Sequence, residues 1–407
     1  MREKGMLKRN ILLIIFIGLA LSVSFLLTGC CSPVSNLDSS NTHVFVAVKN
    51  IIIMIPDGMG LSDVTAARIY KNGPNGNPLS FETLENIGYQ RTHSANSTVT
   101  DSAAAASAWA CGEKFNNGEI CYHSKDGSYN PTVLELAKYK GKATGLVATS
   151  TITHATPAAW ASHVNSRSCE TEIAKQYIEN TGVDVMLGGG RKKFNPDSPD
   201  DCGARGNFIE IAKEKGYTVV YKRSEMGNAV NSGAKKLLGL FADEALTPEK
   251  DRSSDTEEPR LPEMTSAALT LLEKNRNGFF LMVEGSQVDS ANHNNDLEYQ
   301  ITETLAFDEA VKVVLDWINT SSRRKSETLL IVVADHETGG FAVSGPYGRL
   351  SEAGELIEAG WTSKNHTAQD TIVWSQGPGS YKLGRAIDNT ALYYVMKEAL
   401  GYKVSEK

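Results

Sequence analysis

Four apolar runs in this chain each stop at carboxylates, histidines or hydroxyls, and that pattern constrains the fold more than any other feature. The first is IIIMIPDGMG at residues 51–60, where isoleucines and a methionine lead into Pro56, Asp57 and two glycines. An apolar run of this length closed by a Pro/Gly turn predicts a strand buried on both faces and ending at Asp57. ATGLVATS (143–150) is followed by Thr153, His154 and Thr156. FFLMVEG (279–285) carries Glu284 and is followed by Asp289 and His293, while TLLIVVADHETGG (328–340) delivers Asp335 and His336. In open α/β sheets, ligands bind in the crevice outside the carboxyl ends of the strands. One strand ending in Asp-Gly is ordinary packing. Four that deliver hard oxygen and imidazole ligands point to one metal-binding site.

Between these runs the spacing becomes helical. NNDLEYQITETLAFDEAVKVVLDWI (294–318) has apolar residues at helical intervals and no proline, which predicts a long amphipathic helix. VDVMLGGG (183–190) and YTVVY (217–221) predict further strands. Strands alternating with helices imply a central, mostly parallel sheet with helices on its faces. Residues 248–262 read as a charged, proline-bounded surface loop and residues 341–365 as a loop-rich insertion. No repeat and no long linker divides residues 49–407, which predicts a single large domain there.

The N-terminus is organised differently. Arg2, Lys4, Lys8 and Arg9 precede an apolar run from Ile11 to Leu27, the layout of a secretory signal over residues 1–29. Leu27-Thr28-Gly29-Cys30 resembles a bacterial lipobox, in which Cys30 is lipidated and residues 30–48 form a tether; a plain signal peptide or an uncleaved anchor is the alternative. Without residues 1–29 the chain loses four basic residues and one acidic one, and its net charge moves from −7 to about −10. No basic run or stripe suggests a nucleic-acid-binding surface. An acidic protein handling an anionic substrate needs local cations, and metal ions supply them. Cys111, Cys121, Cys169 and Cys202 can pair as two bridges in an oxidising compartment, the local pairings being Cys111–Cys121 and Cys169–Cys202. No CxxC occurs, so a thiolate zinc site is not expected.

TVTDSAAAASAWACG (98–112) predicts a helix capped at Asp101 or Ser102 and followed by an alanine-rich, close-packed turn. The N-terminus of a helix presents free N–H groups and a positive dipole end to an anion, so Ser102 reads either as a cap or as a nucleophile. No histidine–carboxylate triad is evident for activating it, and a metal can do so by stabilising the alkoxide. Three of the eight histidines, His293, His336 and His366, stand beside acids or in loops, and Asp289-x-x-x-His293 brings both side chains to one face of a helical turn.

At this point a resemblance becomes specific. PDGMG, TDSAAAASA, ATPAAWASHVNSR, VEGSQVD followed by His293, ADHETGG and NHT occur in the order and spacing of the alkaline phosphatase family, which the chain resembles over roughly residues 50–400. The resemblance implies a three-layer α/β/α sandwich and a cofactor set of two zinc ions and one magnesium. It implies Asp289, His293 and His366 as ligands of the first zinc, and Asp57, Ser102, Asp335 and His336 as ligands of the second. Asp57 would bridge to magnesium, completed by Thr156 and Glu284. Ser102 is the implied nucleophile and Arg167 the implied clamp on the substrate phosphate, a bidentate role that suits arginine better than lysine. Asp101, His154 and His163 are expected behind these groups, with His163 bonding to one of them. Thr156, just before Pro157, is expected to cap a helix as well.

The chain departs from the enterobacterial members at His154, where they have Asp, and at Ser290, where they have Lys. Imidazole in place of a carboxylate leaves the third site open to zinc or cobalt. The expected activity is hydrolysis of small phosphate monoesters through a phosphoserine, in an exported, lipid-anchored homodimer at the periplasm or cell surface. A phosphodiesterase of the same superfamily and an inactive metal- or phosphate-binding surface lipoprotein are the alternatives. A sulfatase would need Cys or Ser in a C/S-x-P-x-R context, and Ser102 lies in SAAAA.

Overall fold

A computed structural model describes residues 48–196 and 200–404; the predicted signal, Cys30 and nearly all of the tether lie outside them. Ten strands form one sheet: β1 (Asn50–Pro56), β2 (Asn86–Arg91), β3 (Ala143–Thr151), β4 (Val185–Gly189), β5 (Thr218–Val220), β6 (Leu237–Leu240), β7 (Phe279–Gly285), β8 (Thr328–Val333), β9 (Thr371–Gln376) and β10 (Ala386–Asp388). Their spatial order is β10-β2-β9-β8-β1-β7-β3-β4-β6-β5. β9 runs antiparallel to both of its neighbours, and every other pairing is parallel. The predicted mostly parallel sheet is present, and the strands carrying the chemistry, β8-β1-β7-β3, stand side by side at its centre.

Period-two alternation divides each central strand between two cores. Ile51, Ile53 and Ile55 of β1 join Phe280, Met282, Leu329, Ile331 and Val333 on one face, against Ala103, Ala106 and Trp109. Ile52 and Met54 join Leu281, Val283, Leu330 and Val332 on the other, against Met264, Leu269, Phe307 and Val314. The result is a three-layer α/β/α sandwich. Each fully buried branched side chain contributes roughly 1.5–3 kcal/mol, which is why these strands read as continuous apolar runs.

Among the helices, α1 (Leu61–Asn72) follows β1, α2 (Ser102–Cys111) lies on the first face and α3 (Ala155–Ala161) follows β3. α4 (Gln287–Asn294) follows β7, and α5 (Leu297–Asn319) covers the second face. All ten residues of α2 are buried, and its run of alanines lets it pack closely on the equally buried α3. The long helix predicted from residue 294 begins at Leu297 instead. Asn295 takes a positive φ of 55° that ends α4, and the Asp296 carboxylate then caps α5 by accepting from the Tyr299 N–H at 3.0 Å. Cys169 and Cys202 form a disulfide. Cys111 and Cys121 do not: both are buried free thiols, Cys111 closing α2 and Cys121 in the loop that follows.

Candidate metal centre

Backbone turns at the carboxyl ends of the central strands aim the ligands. After β1 the chain turns at Gly58, whose φ is 74° and whose N–H donates to Asp335 Oδ1 at 3.1 Å, tying the ends of β1 and β8 together. A Cβ on Gly58 would stand 2.7 Å from the Cα of Asp289, so glycine is what allows α4 to approach. Glu284 sits on β7 between Ile55 and Ala148 of the neighbouring strands. Asp289 and His293 lie one turn apart on α4, as their spacing predicts. Beyond Asp335 and His336, Glu337–Thr338 pairs antiparallel with His366–Thr367, which brings His366 from a distant segment back to the site.

The side chains assemble into three groups. Asp289, His293 and His366 form one, Asp57, Asp335 and His336 a second, and Asp57, His154 and Glu284 a third, with Asp57 shared by the last two. In the first, His293 Nε2 is 3.3 Å from Asp289 Oδ2, and His366 Nε2 is 3.5 Å from Asp289 Oδ1 and 3.2 Å from His293 Nε2. In the second, His336 Nε2 is 3.1 Å from Asp335 Oδ2, 3.6 Å from Asp57 Oδ1 and 3.2 Å from Ser102 Oγ. Tetrahedral ligation with bonds of about 2.0–2.2 Å separates ligand atoms by roughly 3.3 Å, so both groups have the spacing of a zinc coordination shell. The histidines are already oriented for it. His366 Nδ1 bonds to the Thr100 carbonyl at 2.9 Å and His293 Nδ1 to the Lys364 carbonyl at 2.5 Å, which leaves each Nε2 lone pair facing the group. The His336 ring stacks on His366 with centroids 3.5 Å apart.

The deepest group shows what it lacks. Both carboxylate oxygens of Glu284, Thr156 Oγ1 and Asp57 Oδ1 are buried without a hydrogen-bond partner. Orphaned buried acceptors are rare and costly, and here they converge. Burial, reinforced by Asp335, Asp289 and Glu284, pushes Asp57 well above the ordinary carboxylate range. Burial likewise pushes Glu284 up to about 7. Asp289 moves the other way: burial raises it, but the His293 hydrogen bond and the neighbouring imidazoles outweigh that and hold it ionised. Its partner His293 is raised to about 9 chiefly by that hydrogen bond. Four carboxylates crowded into one largely buried cluster call for cations, and the oxygen-rich deep group suits a hard ion while the imidazole groups suit zinc.

Ser102 opens α2, with Asp101 as the cap: Asp101 Oδ1 accepts from the Ala104 N–H at 3.0 Å. Asp101 Oδ2 accepts from Arg167 Nη1 at 3.1 Å and from the Gly118 N–H at 3.0 Å. Arg167 Nη2 donates to His154 Nε2 at 2.8 Å. A guanidinium can only donate, so that ring nitrogen accepts and His154 is neutral. Burial first, then the Arg167 charge, hold His154 down to about 4.

Asp57, Ser102, His154, Thr156, Glu284, Asp289, His293, Asp335, His336 and His366 thus converge, with Asp101 and Arg167 beside them. Two expectations are corrected. His163 bonds to the Cys121 carbonyl at 2.7 Å and to Glu135 at 3.2 Å and stacks on Tyr129, so its ring braces a loop and touches no ligand. Thr156 caps nothing, since its hydroxyl is buried and unpartnered one residue inside α3. Thr338 was missed: its hydroxyl lies 2.5 Å from Asp289 Oδ1 and 3.2 Å from His336 Nδ1, linking two groups. The signal was its place inside ADHETGG. Asn117 was missed as well. Its side chain accepts from the Asp101 N–H at 3.1 Å and donates to the Val99 carbonyl at 3.0 Å, and Asn117-Gly118 is a turn signature.

Comparison with known proteins agrees with this geometry. Residues 48–354 match the family model described as alkaline phosphatase. Alkaline phosphatase 3 of Bacillus subtilis is 34% identical over 88% of this chain and 90% of its own. The crystal structure of Thermus thermophilus alkaline phosphatase superimposes with a TM-score of 0.78 at 30% identity, covering 88% of this chain and 92% of that one. A histidine-to-aspartate variant of the alkaline phosphatase of the Antarctic bacterium TAB5, solved with magnesium in its M3 site, matches with a TM-score of 0.74 at 30% identity, over 88% of this chain and 99% of that one.

Proposed function

The chain belongs to the alkaline phosphatase family and is a metal-dependent phosphate monoester hydrolase, and on that premise we propose that hydrolysis runs through a phosphoserine at Ser102. The observation that carries this is the placement of Ser102 Oγ, 3.2 Å from His336 Nε2 at the N-terminus of α2 and beside the deep carboxylates. Asp289, His293 and His366 would hold one zinc, and Asp57, Ser102, Asp335 and His336 a second. Asp57, Thr156 and Glu284 would hold magnesium, with His154 opening that third site to zinc or cobalt. When bound, the ions supply Lewis-acid stabilisation of charge on the attacking and leaving oxygens.

The protein's own groups do the rest. The α2 N-terminus favours the phosphate dianion, and Arg167 lies beside it with its fixed fork of donors. Asp101 holds that guanidinium in place while also capping α2, so nucleophile and clamp share one support. Ser102 Oγ attacks phosphorus in line as the alcohol leaves. Water then attacks the phosphoserine, releasing inorganic phosphate and restoring the hydroxyl.

We further infer export, directed by residues 1–29, lipid anchoring at Cys30 and a homodimeric assembly. The basic, apolar and lipobox segments in sequence support the first two; the family resemblance supports the third. No helix among the described residues is long and apolar enough to cross a membrane. The test of function is hydrolysis of a chromogenic phosphate monoester beside its diester and sulfate analogues, with and without a chelator. Monoester hydrolysis that collapses on chelation and returns with divalent cation is the expected result. Preference for the diester or sulfate, or full activity in chelator, would overturn this reading.

A further inference from the structure

The two ends of the central sheet carry opposite charge. Asp57, Glu284, Asp289 and Asp335 gather at the carboxyl ends of the strands. At the amino ends the residues entering the strands are basic: Lys49 before β1, Lys235 and Lys236 before β6, Lys274 and Arg276 before β7, and Arg323, Arg324 and Lys325 before β8. Asp184 before β4 pairs with Lys138 at 3.3 Å, Glu85 before β2 is exposed, and the two acids nearest the basic residues are paired. Glu273 takes Arg324 at 2.6 Å, and Glu327 takes Arg323 at 3.1 Å and Lys49 at 3.8 Å. Lys235, Lys274, Arg276 and Lys325 are exposed and form no ion pair among the described residues.

Five of these cations share one face. Lys49, Lys274, Arg276, Trp317, Arg323 and Arg324 line a cavity of about 590 Å³. Buried Lys142 donates to the carbonyls of Val48, Lys49 and Asn277 at 3.0, 2.7 and 2.8 Å, fixing the strand entrances to one another. The Asn275 and Asn277 side chains donate to the Gly141 carbonyl at 3.0 and 3.2 Å, which brings in the neighbouring turn with exposed Lys140 and Tyr139, the latter 75% exposed. The chain enters the described fold at this end, through Val48 and Lys49. The remainder of the molecule is strongly acidic and is repelled by an anionic surface, whereas an unpaired cationic face is attracted within a Debye length.

We propose that this face docks on the anionic phospholipid surface of the membrane that carries the Cys30 anchor, with Lys235, Lys274, Arg276 and Lys325 over the headgroups and Tyr139 at their edge. Docking turns the metal centre away from the membrane, toward soluble monoesters. The inference rests on the lipid-anchor reading above, and its test separates the two.

Lipidated full-length protein is mixed with phosphatidylcholine vesicles and with phosphatidylglycerol-rich vesicles, and flotation and amide hydrogen exchange are measured. Flotation with both, with exchange over residues 273–278 and 321–327 slowed at least about fivefold on the anionic vesicles alone, is expected, a factor in line with the attraction of a single basic residue near such a surface. The Lys274→Glu/Arg276→Glu/Lys325→Glu variant should float equally well, hydrolyse soluble monoester at the parent rate and lose that protection. Equal exchange on both vesicles, or protection retained in the variant, would overturn docking and leave the anchor standing. Flotation with the anionic vesicles alone, lost in the variant, would support the face and overturn the anchor. Flotation with neither would overturn both.

Discussion

The outer ligand group and the deepest one solve the same problem in opposite ways. In the outer group, His293 and His366 already bond to backbone carbonyls, and Thr338 reaches Asp289. The His293 side chain remains 37% exposed and those of Asp289 and His366 16% each. In the deep group, Thr156 and Glu284 are fully buried and their oxygens meet no donor. The protein preorganises the outer site itself, whereas the deep site is balanced only when a cation is present. An unsatisfied buried polar group costs about 1–3 kcal/mol, so this difference has measurable consequences.

Ser102 sits against the middle group, and its removal should have the largest effect. Ser102→Ala is expected to lower monoester turnover by several orders of magnitude while leaving metal content at the outer site unchanged, because the nucleophile is lost and metal and binding catalysis remain. Rates within tenfold of the parent would break the assignment.

Removing the metals sharpens the comparison through pH. In metal-free protein Glu284 holds its proton up to about 7, against 4.5 ordinarily, so the folded state binds a proton that the unfolded chain releases. Stability is therefore full below the ordinary value and falls as pH rises through that window, by on the order of 3 kcal/mol. His293, raised to about 9, adds stability below its ordinary 6.5 that is lost as pH climbs to 9, a smaller effect at a solvent-screened site. Thermal melting of the metal-free protein should fall across both windows; burial raises Asp57, Asp63 and Glu303 as well, so Glu284→Gln should reduce the lower fall and saturating divalent cation should reduce both. A melting temperature independent of pH across both windows would contradict the account.

Arg167→Ala should cost about 1.5–3 kcal/mol in kcat/KM, the range for a lost charged hydrogen bond, and more for monoesters than for diesters, because the dianion offers more oxygens. Equal losses would place Arg167 outside the substrate site. The smallest effect is at the rim of the deep group. His154→Asp exchanges a neutral imidazole for a hard oxygen and should raise magnesium affinity, and the parent should be activated by added magnesium or cobalt. Identical magnesium activation curves for the two proteins would sink that idea.

Most of the site was legible because its residues are tied to strand ends. Asp57, Glu284, Asp335 and His336 follow apolar runs that can only be buried strands, and Asp289 and His293 share a helical face. His366 is different: its loop context marked it as a candidate, but its place depends on a two-residue ladder with Glu337–Thr338, and only the family resemblance grouped it with Asp289 and His293. What was not legible was the choice among local partners. His163 lies within a family motif, yet its ring turns to Cys121 and Glu135, a matter of side-chain packing that spacing cannot reveal. Cys111 and Cys121, ten positions apart, are buried free thiols, Cys111 Sγ directed at the Asn130 carbonyl and Cys121 Sγ at the Ala159 carbonyl, a choice of partner that spacing does not show. The break at Asn295 falls in the polar run Asn292-His293-Asn294-Asn295-Asp296, where the positive φ of Asn295 ends one helix and Asp296 caps the next.

The claim that Ser102 carries the phosphoryl group, supported by the metal groups around it, is tested most directly by trapping the intermediate. Enzyme mixed with a monoester substrate and quenched in acid would be digested and mapped by mass spectrometry. One phosphate on the peptide containing Ser102, absent when chelator precedes the substrate, is the predicted result. Turnover with no phosphopeptide, or a phosphate on any other residue, would contradict it.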